Sequence, residues 1–438
     1  MLTLPTPNDP PMPISPKVIR EFGKVYSGQG TDRFDQVWLP PRSFALLRDF
    51  VTEQGEANEE VGRAFCYGKR QGQEWVQVRN YVGVIQLSDG THLEVLPKLL
   101  THGPEAGDDQ QAVQHTREVF LHMLRHLRDS PFIDLDQAQL KADRFPLLEV
   151  FIQAYVRGLD HLLKRGLQCA YQSHTANQPF LKGRLEVARH LQQNLQHPER
   201  FYVTYDTYAL DSPWHRLLLA TVLKLQRHAR VLSHQRALQR QRFALDAVSP
   251  SHDLQHDWSR LDFNDRQYRR YHQLMRWSRI FLFDQSFTNF HGAQLNLALL
   301  FPMERVFEDY VGHWLRRTLP GWYIRVQDRR HHLVEGFRGG RAFGLRPDFV
   351  LTSPEGQTVV ADAKWKRLDA RQTNPPFGIS QGDLYQLYAY GKKYSRPHPP
   401  KLWLLYPDQP ALRQAERSLR FEADLWLDLR GVPITRAN

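Results

Sequence analysis

Residues 346–366 read Arg-Pro-Asp-Phe-Val-Leu-Thr-Ser-Pro-Glu-Gly-Gln-Thr-Val-Val-Ala-Asp-Ala-Lys-Trp-Lys and set two carboxylates and an ammonium against two apolar runs. Val, Leu and Phe dominate both runs, which therefore read as buried strands. Ser353-Pro354-Glu355-Gly356 between them has turn chemistry, with Pro second and Gly fourth. The resulting hairpin returns Asp348 toward Asp362. Side chains alternate along a strand, so Asp362, Lys364 and Lys366 share one face, and Ala363 and Trp365 the other. Two carboxylates plus an ammonium on one side of a sheet suit a hard divalent metal and an activated water, the equipment of a nuclease. An ordinary hairpin with one solvated Asp–Lys pair is the plainer reading, since P-D and D-x-K are short patterns. Against it, Asp362 ends an uninterrupted apolar strand, a costly place for a carboxylate with no partner or metal.

The neighbouring elements must hold these groups. Met303–Val311 reads as an amphipathic helix leading into the strand Trp322–Val326. Ser380–Tyr390 reads as a helix with Gln386 and Tyr390 four apart and so on one side. Leu402–Tyr406 is one more buried strand. The order is helix, three strands, helix, strand. That order with those residues resembles the PD-(D/E)xK nuclease superfamily, and the Gln386/Tyr390 pair is similar to the Q-x-x-x-Y element of its RecB-like branch. The resemblance implies Mg²⁺ held by Asp348 and Asp362, Lys364 as catalytic lysine, and a helix carboxylate completing the metal shell. Glu308 is the preferred candidate for that carboxylate and Glu304 the alternative.

The 438 residues predict two or three domains with real cores. The class is α+β multidomain. A Pro-rich lead-in (1–16) precedes a β-rich domain over 17–100, with one helix near 41–52 and an Asp89-Gly90 hairpin signal. A polar linker spans Thr101–Gln111. A mainly helical middle region covers 112–290, with helices near 113–128, 145–165, 212–243 and 264–284 and strands near 168–173 and 201–209. His291–Leu299 reads as a connector, and 301–430 as an α/β domain on a central mixed sheet.

The formal charge of +11 points to a polyanionic partner. Residues 213–245 carry seven Arg and Lys and no acid, which reads as a solvated helix face. Residues 321–346 carry six arginines against Asp328 and Glu335, immediately before Asp348. Arg329, Arg330, Arg338, Arg341 and Arg346 are therefore the candidate DNA-binding residues, through phosphate neutralisation. His331-His332 join that surface. His122 and His126 have metal-ligand spacing but no third ligand, and read as exposed helical residues. Cys66 and Cys169 are too far apart for a redox or zinc motif, which fits a reducing cytoplasm. Cys169, Trp403 and Trp426 are core candidates. No apolar run approaches the ~20 residues of a membrane span, no secretory signal opens the chain, and no P-loop is present.

Further stretches are similar to one family, McrC, the nuclease subunit of McrBC modification-dependent restriction systems. They are Tyr81-Val-Gly-Val-Ile with Leu93-Glu-Val-Leu-Pro-Lys98, then Arg165-Gly-Leu, Leu181-Lys-Gly-Arg-Leu185, Asp211-Ser-Pro-Trp-His-Arg-Leu-Leu218 and Met303-Glu-Arg-Val-Phe-Glu308. Together they cover roughly residues 17–430; His215 stands where the family often has Asn. The resemblance implies a Mg²⁺-dependent endonuclease that docks through its N-terminal part on an McrB-like AAA+ GTPase hexamer. That partner binds the GTP, recognises and translocates methylated double-stranded DNA, and has its hydrolysis stimulated. Two rivals stand beside this: a non-catalytic DNA-binding, GTPase-activating adaptor, and a stand-alone RecB-like nuclease. Branches of the latter with an iron–sulfur cluster need four cysteines, and two cannot provide them.

Overall fold

The apolar runs and amphipathic stretches assemble into a mixed α+β architecture with several separate sheets. The computed structural model describes residues 16–98, 109–128, 131–134 and 145–434, apart from 284, 287, 290–292, 338–339, 370, 373, 375–376, 396–397 and 414–417. Nearly all of the Pro-rich lead-in and most of the expected linker lie outside the described residues. The chain packs as two compact units, Met1–Leu147 with Ser286–Asn438, and Leu148–Gln285.

The first unit opens with β1 (Lys17–Arg20), β2 (Lys24–Ser27), β3 (Gln36–Leu39), α1 (Pro41–Ala57), α2 (Glu59–Ala64), β4 (Phe65–Arg70) and β5 (Gln73–Val78). β6 (Tyr81–Leu87), β7 (His92–Leu96) and α3 (Asp109–Leu124) follow. One sheet has the order β3-β2-β5-β4. Against it, Ile19, Phe44, Leu47, Phe50, Val76, Ile85 and Leu300 form one core. β6 is buried at every position, so both of its edges need hydrogen-bond partners. β7 supplies one edge, from the hairpin that Asp89-Gly90 signals.

The second unit holds α4 (Leu147–Lys164), β8 (Ala170–Gln178), β9 (Arg184–Leu185), α5 (Val187–Gln193) and β10 (Phe201–Ala209). α6 (Pro213–His228), α7 (Leu232–Ala244), α8 (Leu254–Ser259) and α9 (His272–Leu282) complete it. The strands form a small sheet in the order β8-β10-β9. Ser212 caps α6, with Pro213 at its first turn. The single helix expected over 212–243 is two helices. The buried Glu149 carboxylate accepts from the Arg230 and Val231 amides at 2.5 and 3.2 Å and lies 2.5 Å from His234 Nδ1. A carboxylate at free amides is what a helix start favours, so the chain breaks and restarts there. Cys169 is half-buried rather than core.

Two short paired strands, β11 (Gln285–Ser286) and β12 (Thr288–Asn289), precede β13 (Leu295–Pro302). β13 corrects the expectation of a connector at 291–299. Leu297–Phe301 are all buried, and the strand closes the second edge of β6 in the order β1-β7-β6-β13. The apolar run Leu-Ala-Leu-Leu-Phe carries the signal; its partner lies more than 200 residues upstream, which no local pattern reveals.

α10 (Met303–Thr318) leads into β14 (Tyr323–Val326), β15 (His332–Phe337), β16 (Gly340–Gly344), β17 (Phe349–Thr352) and β18 (Thr358–Ala363). α11 (Gln381–Lys393), β19 (Lys401–Pro407), α12 (Pro410–Arg413), β20 (Ser418–Glu422) and β21 (Leu425–Val432) end the described chain. The six-stranded sheet has the order β14-β17-β18-β19-β21-β20. β18 and β19 are parallel, and α11 is their crossover. Trp403 is buried under the Arg430 guanidinium, 3.7 Å from its ring centre. Trp426 is not core: β21 alternates, and its outward face leaves Trp426 45% exposed. Among the described residues no helix is long and apolar enough to cross a membrane.

The closure of β6 against β13 depends on Gly83, which has φ of +141° and whose added Cβ would lie 1.9 Å from the Leu299 carbonyl oxygen. Gly83→Ala is expected to destabilise the protein by about 2 kcal/mol or more, from strain plus a backbone clash. Chemical denaturation would measure it; an unchanged midpoint would show that the strand pair tolerates the side chain.

Candidate active site

The β17–β18 pairing fixes the distance between the two acids. Phe349 pairs with Ala361, which sets Asp348 and Asp362 side by side at the strand ends. Asp348 Oδ2 accepts the Ala363 amide at 2.8 Å. Asp362 is buried, and its Oδ2 lies 2.6 Å from Lys364 Nζ without a hydrogen bond of good geometry. Dehydration, then the Asp362 and Glu308 charges, hold the Asp348 carboxyl well above the ordinary range. Dehydration also raises Asp362, against the Lys364 ammonium. A half-buried and a buried acid that resist ionising together are a site suited to positive charge.

Lys364 leaves the strand with its amide bonded to the Leu405 carbonyl at 2.8 Å. Its ammonium loses water to burial, yet Asp362, Asp383 and Asp348 outweigh that and hold it firmly protonated. Gln386 joins the group from α11: Lys364 Nζ lies 3.4 Å from its Oε1, and its Nε2 donates to Tyr390 Oη at 2.6 Å. Burial raises the Tyr390 phenol to about 12, so it stays neutral. The helix thus presents an amide dipole with its negative end toward the lysine and its positive end on a tyrosine.

Asp383 is the member of this group that the sequence reading passed over. It is buried one turn before Gln386, 3.5 Å from Lys364 Nζ and 2.6 Å from Lys366 Nζ. Its i,i+3 spacing to Gln386 on the same helix was the available signal. Lys366 is thereby tied down beside Lys364, on the face that strand alternation predicts.

The two helix carboxylates separate clearly. Glu308 contributes to the field at Asp348, is raised by burial, accepts from Gln327 Nε2 at 2.6 Å and faces Arg128 at 3.5 Å. Glu304 instead acts on Tyr81 and Lys98. Among the described residues no three His, Cys, Asp or Glu side chains gather closely enough to hold a metal by themselves. Mg²⁺ commonly takes one or two carboxylates and completes its shell with water and substrate phosphate. The hard donor pair Asp348/Asp362, whose Asp362 Oδ2 meets only the Lys364 ammonium, fits that mode.

A model of the McrBC 5-methylcytosine restriction system component family matches residues 76–407. The chain belongs to that family. No curated protein matches it. Among solved structures it is similar to the McrC chain in the refined half-complex from the tetradecameric assembly of Thermococcus gammatolerans McrB AAA+ hexamers with bound McrC. Identity there is 17%, the TM-score is 0.68, and 95% of this chain and 94% of that one are covered. A cryo-EM structure of the T. gammatolerans McrBC complex matches at 16% identity and TM-score 0.49, covering 69% and 88%. The McrBC family match spans β5 through β19 and so includes every residue of the candidate site.

The basic segment before Asp348 divides in this McrBC family member. Arg329 and Arg346 are exposed. Arg330 is engaged by the buried Asp328, 2.8 Å away, which also pairs with Arg325 at 3.5 Å. Arg338 and the side chain of Arg341 lie outside the described residues. His331 packs on Tyr394 with ring centres 4.3 Å apart. His122 and His126 are half-buried rather than exposed. His126 stacks on His313 at 3.9 Å beside Tyr310, and dehydration with the neighbouring cations holds its pKa down at about 3.

A carboxyl whose folded pKa is raised stabilises the fold least once it must ionise. Stability falls as pH rises from the unfolded value, about 3.9, through the folded one. Asp348→Asn is therefore expected to raise metal-free stability at pH 7 by on the order of 1 kcal/mol, with the gain vanishing below about pH 4. Melting curves in a chelator would check it; a lowered or unchanged melting temperature at pH 7 would contradict the like-charge account.

Proposed function

We propose that the chain is the DNA-cutting subunit of a modification-dependent restriction system, a Mg²⁺-dependent endonuclease of the PD-(D/E)xK type. The observation that carries this reading is the meeting of Asp348, Asp362 and Lys364 at adjacent strand ends, backed by the Gln386–Tyr390 pair. Asp348 and Asp362 would hold the metal, which supplies Lewis-acid polarisation of a phosphate and a water of lowered pKa. The Lys364 ammonium, beside both acids, would donate to and orient the attacking water or phosphate oxygen. Gln386 keeps that ammonium aimed, and Asp383 keeps it from collapsing wholly onto Asp362. Glu308 acts from behind Asp348, through charge and through Gln327.

DNA would approach over the exposed Arg329 and Arg346 and the β15–β16 hairpin, where Phe343 is 72% exposed. The arginines suit a phosphate backbone, and the exposed aromatic ring suits stacking on an accessible base. The chain lacks a P-loop, so GTP would belong to a partner. The similar Thermococcus gammatolerans protein assembles with McrB AAA+ hexamers, and we extend an equivalent partner to this chain, in the cytoplasm.

With that partner, GTP, Mg²⁺ and methylated DNA, Asp362→Ala and Lys364→Ala are each expected to cut at least about 100-fold more slowly than wild type. GTPase stimulation should persist in both. Full cutting by Asp362→Ala would sink the nuclease assignment and favour a non-catalytic adaptor.

A further inference from the structure

Trp365 follows the lysine of the site directly, yet its side chain points the other way into a closed pocket. It is 3% exposed, and its ring centre lies 5.4 Å from that of Phe307 on α10. Its indole Nε1 donates at 2.6 Å to Glu21 Oε1, a contact spanning 344 residues. Glu21 belongs to the β1–β2 turn and is itself 1% exposed. The same Oε1 accepts the Lys98 amide at 2.9 Å, and Lys98 Nζ stands 3.7 Å from Oε2. No charge is needed at this position to satisfy a tryptophan; a backbone carbonyl would serve. A carboxylate this buried is retained at a desolvation cost.

The turn that carries Glu21 is hydrogen-bonded to two strands. Glu21 N donates to Leu96 O on β7 at 2.8 Å, and Phe22 N to Val78 O on β5 at 2.7 Å. Phe22 holds φ of +65°, a left-handed conformation that a bulky residue adopts only when its surroundings impose it. Lys98 Nζ also sits over the Phe22 ring, 4.3 Å from its centre. Both N-terminal sheets are thus joined to this turn. On the other side, β18 has ended at Ala363, and the next residues lie outside any strand ladder. The Lys364 amide bonds to Leu405 O, Lys366 N turns back to Lys364 O at 3.0 Å, and Gln409 bridges Lys366 O at 3.4 Å and Leu368 N at 2.8 Å. At Trp365 itself the buried side chain adds the anchor to the N-terminal sheets.

We propose that Glu21 is a positioning residue for Lys364. Its carboxylate anchors Trp365 on one side of the irregular segment, and so sets where the neighbouring lysine emerges on the other. The N-terminal sheets then control the geometry of the cutting site through one hydrogen bond. A residue held 1 Å away from its productive place loses much of its effect, so the anchor has leverage over the chemistry without touching DNA.

The inference rests on Lys364 acting in cleavage, and its test keeps the two claims apart. Single-turnover cutting and GTPase stimulation are measured on the full chain with its GTPase partner, for Glu21→Ala, Glu21→Gln, Trp365→Phe, the double variant Glu21→Ala/Trp365→Phe and Lys364→Ala. Glu21→Gln keeps an acceptor for the indole and should cut within about threefold of wild type. Trp365→Phe loses the donor together with part of the indole's volume, so its loss is assigned to the bond only where Glu21→Ala shows the same fall and the double variant is non-additive. Trp365→Phe and Glu21→Ala should each lose about tenfold in cutting rate or more, with DNA affinity and GTPase stimulation unchanged. The double variant should be no worse than the poorer single one. Normal cutting by Trp365→Phe beside an inactive Lys364→Ala overturns the positioning role alone, as do additive losses or an equal fall in GTPase stimulation. Normal cutting by Lys364→Ala overturns both claims.

Discussion

The site depends on two carboxylates being held where neither can easily ionise beside the other. The β17–β18 ladder does this through its register, which leaves Asp348 and Asp362 no freedom to separate. Dehydration makes each charge costly, and proximity makes the second costlier. The surrounding elements are arranged around that cost. Lys364 offsets part of it, Asp383 and Lys366 hold Lys364 in turn, and Gln386 orients what remains. Removing all positive charge would leave an acidic pocket that the fold can barely support; adding a divalent cation would relieve it. On the proposed reading, that cation would also be what admits an anionic substrate phosphate.

Much of this was legible because strand chemistry is local. Val, Leu and Phe runs with a Ser-Pro-Glu-Gly break define a hairpin, and period two then assigns faces to Asp362, Lys364 and Trp365. Period 3.6 does the same for Gln386 and Tyr390. What stayed hidden was set by distant partners. β13 was apolar enough to be a strand, but its role as the fourth member of an N-terminal sheet rests on pairing with β6, far upstream. The helix break at residues 229–231 depends on Glu149, some 80 residues away. Trp426 was misread because one large aromatic says nothing about the face its strand presents. Asp383 went unnoticed for the opposite reason: its spacing to Gln386 was plain, but a helix acid is usually solvated, and only the reach of two lysines gives it a role.

The discontinuous first unit follows from the same long-range pairing. The chain leaves the N-terminal sheets after Leu147, builds a separate unit, and returns as β13 before entering α10. Met303 N bonds to Asn80 O at 2.8 Å, so α10 begins directly on the N-terminal sheet system. α10 carries Phe307, which touches Trp365, and Glu308, which acts on Asp348. Arg128 ties the segment after α3 to Asp309 on the same helix. One helix therefore carries the mechanical link and the electrostatic one on adjacent residues.

This arrangement answers why so much chain surrounds so small a site. A six-stranded sheet with two flanking helices is enough to hold two aspartates and a lysine. It is not enough to make their alignment conditional on anything else. Here the lysine's backbone is pinned from behind by a tryptophan whose hydrogen-bond acceptor sits in another sheet system. The acid pair is overlooked by a helix that starts from that same system. Strain or displacement in the N-terminal sheets would reach Lys364 through Trp365 and reach Asp348 through Glu308. Both routes end at the residues proposed to carry the chemistry, where small displacements would matter most. The buried Glu21 is costly as a structural residue and useful as a coupling one, because a hydrogen bond can be broken by a small movement that an apolar contact would absorb.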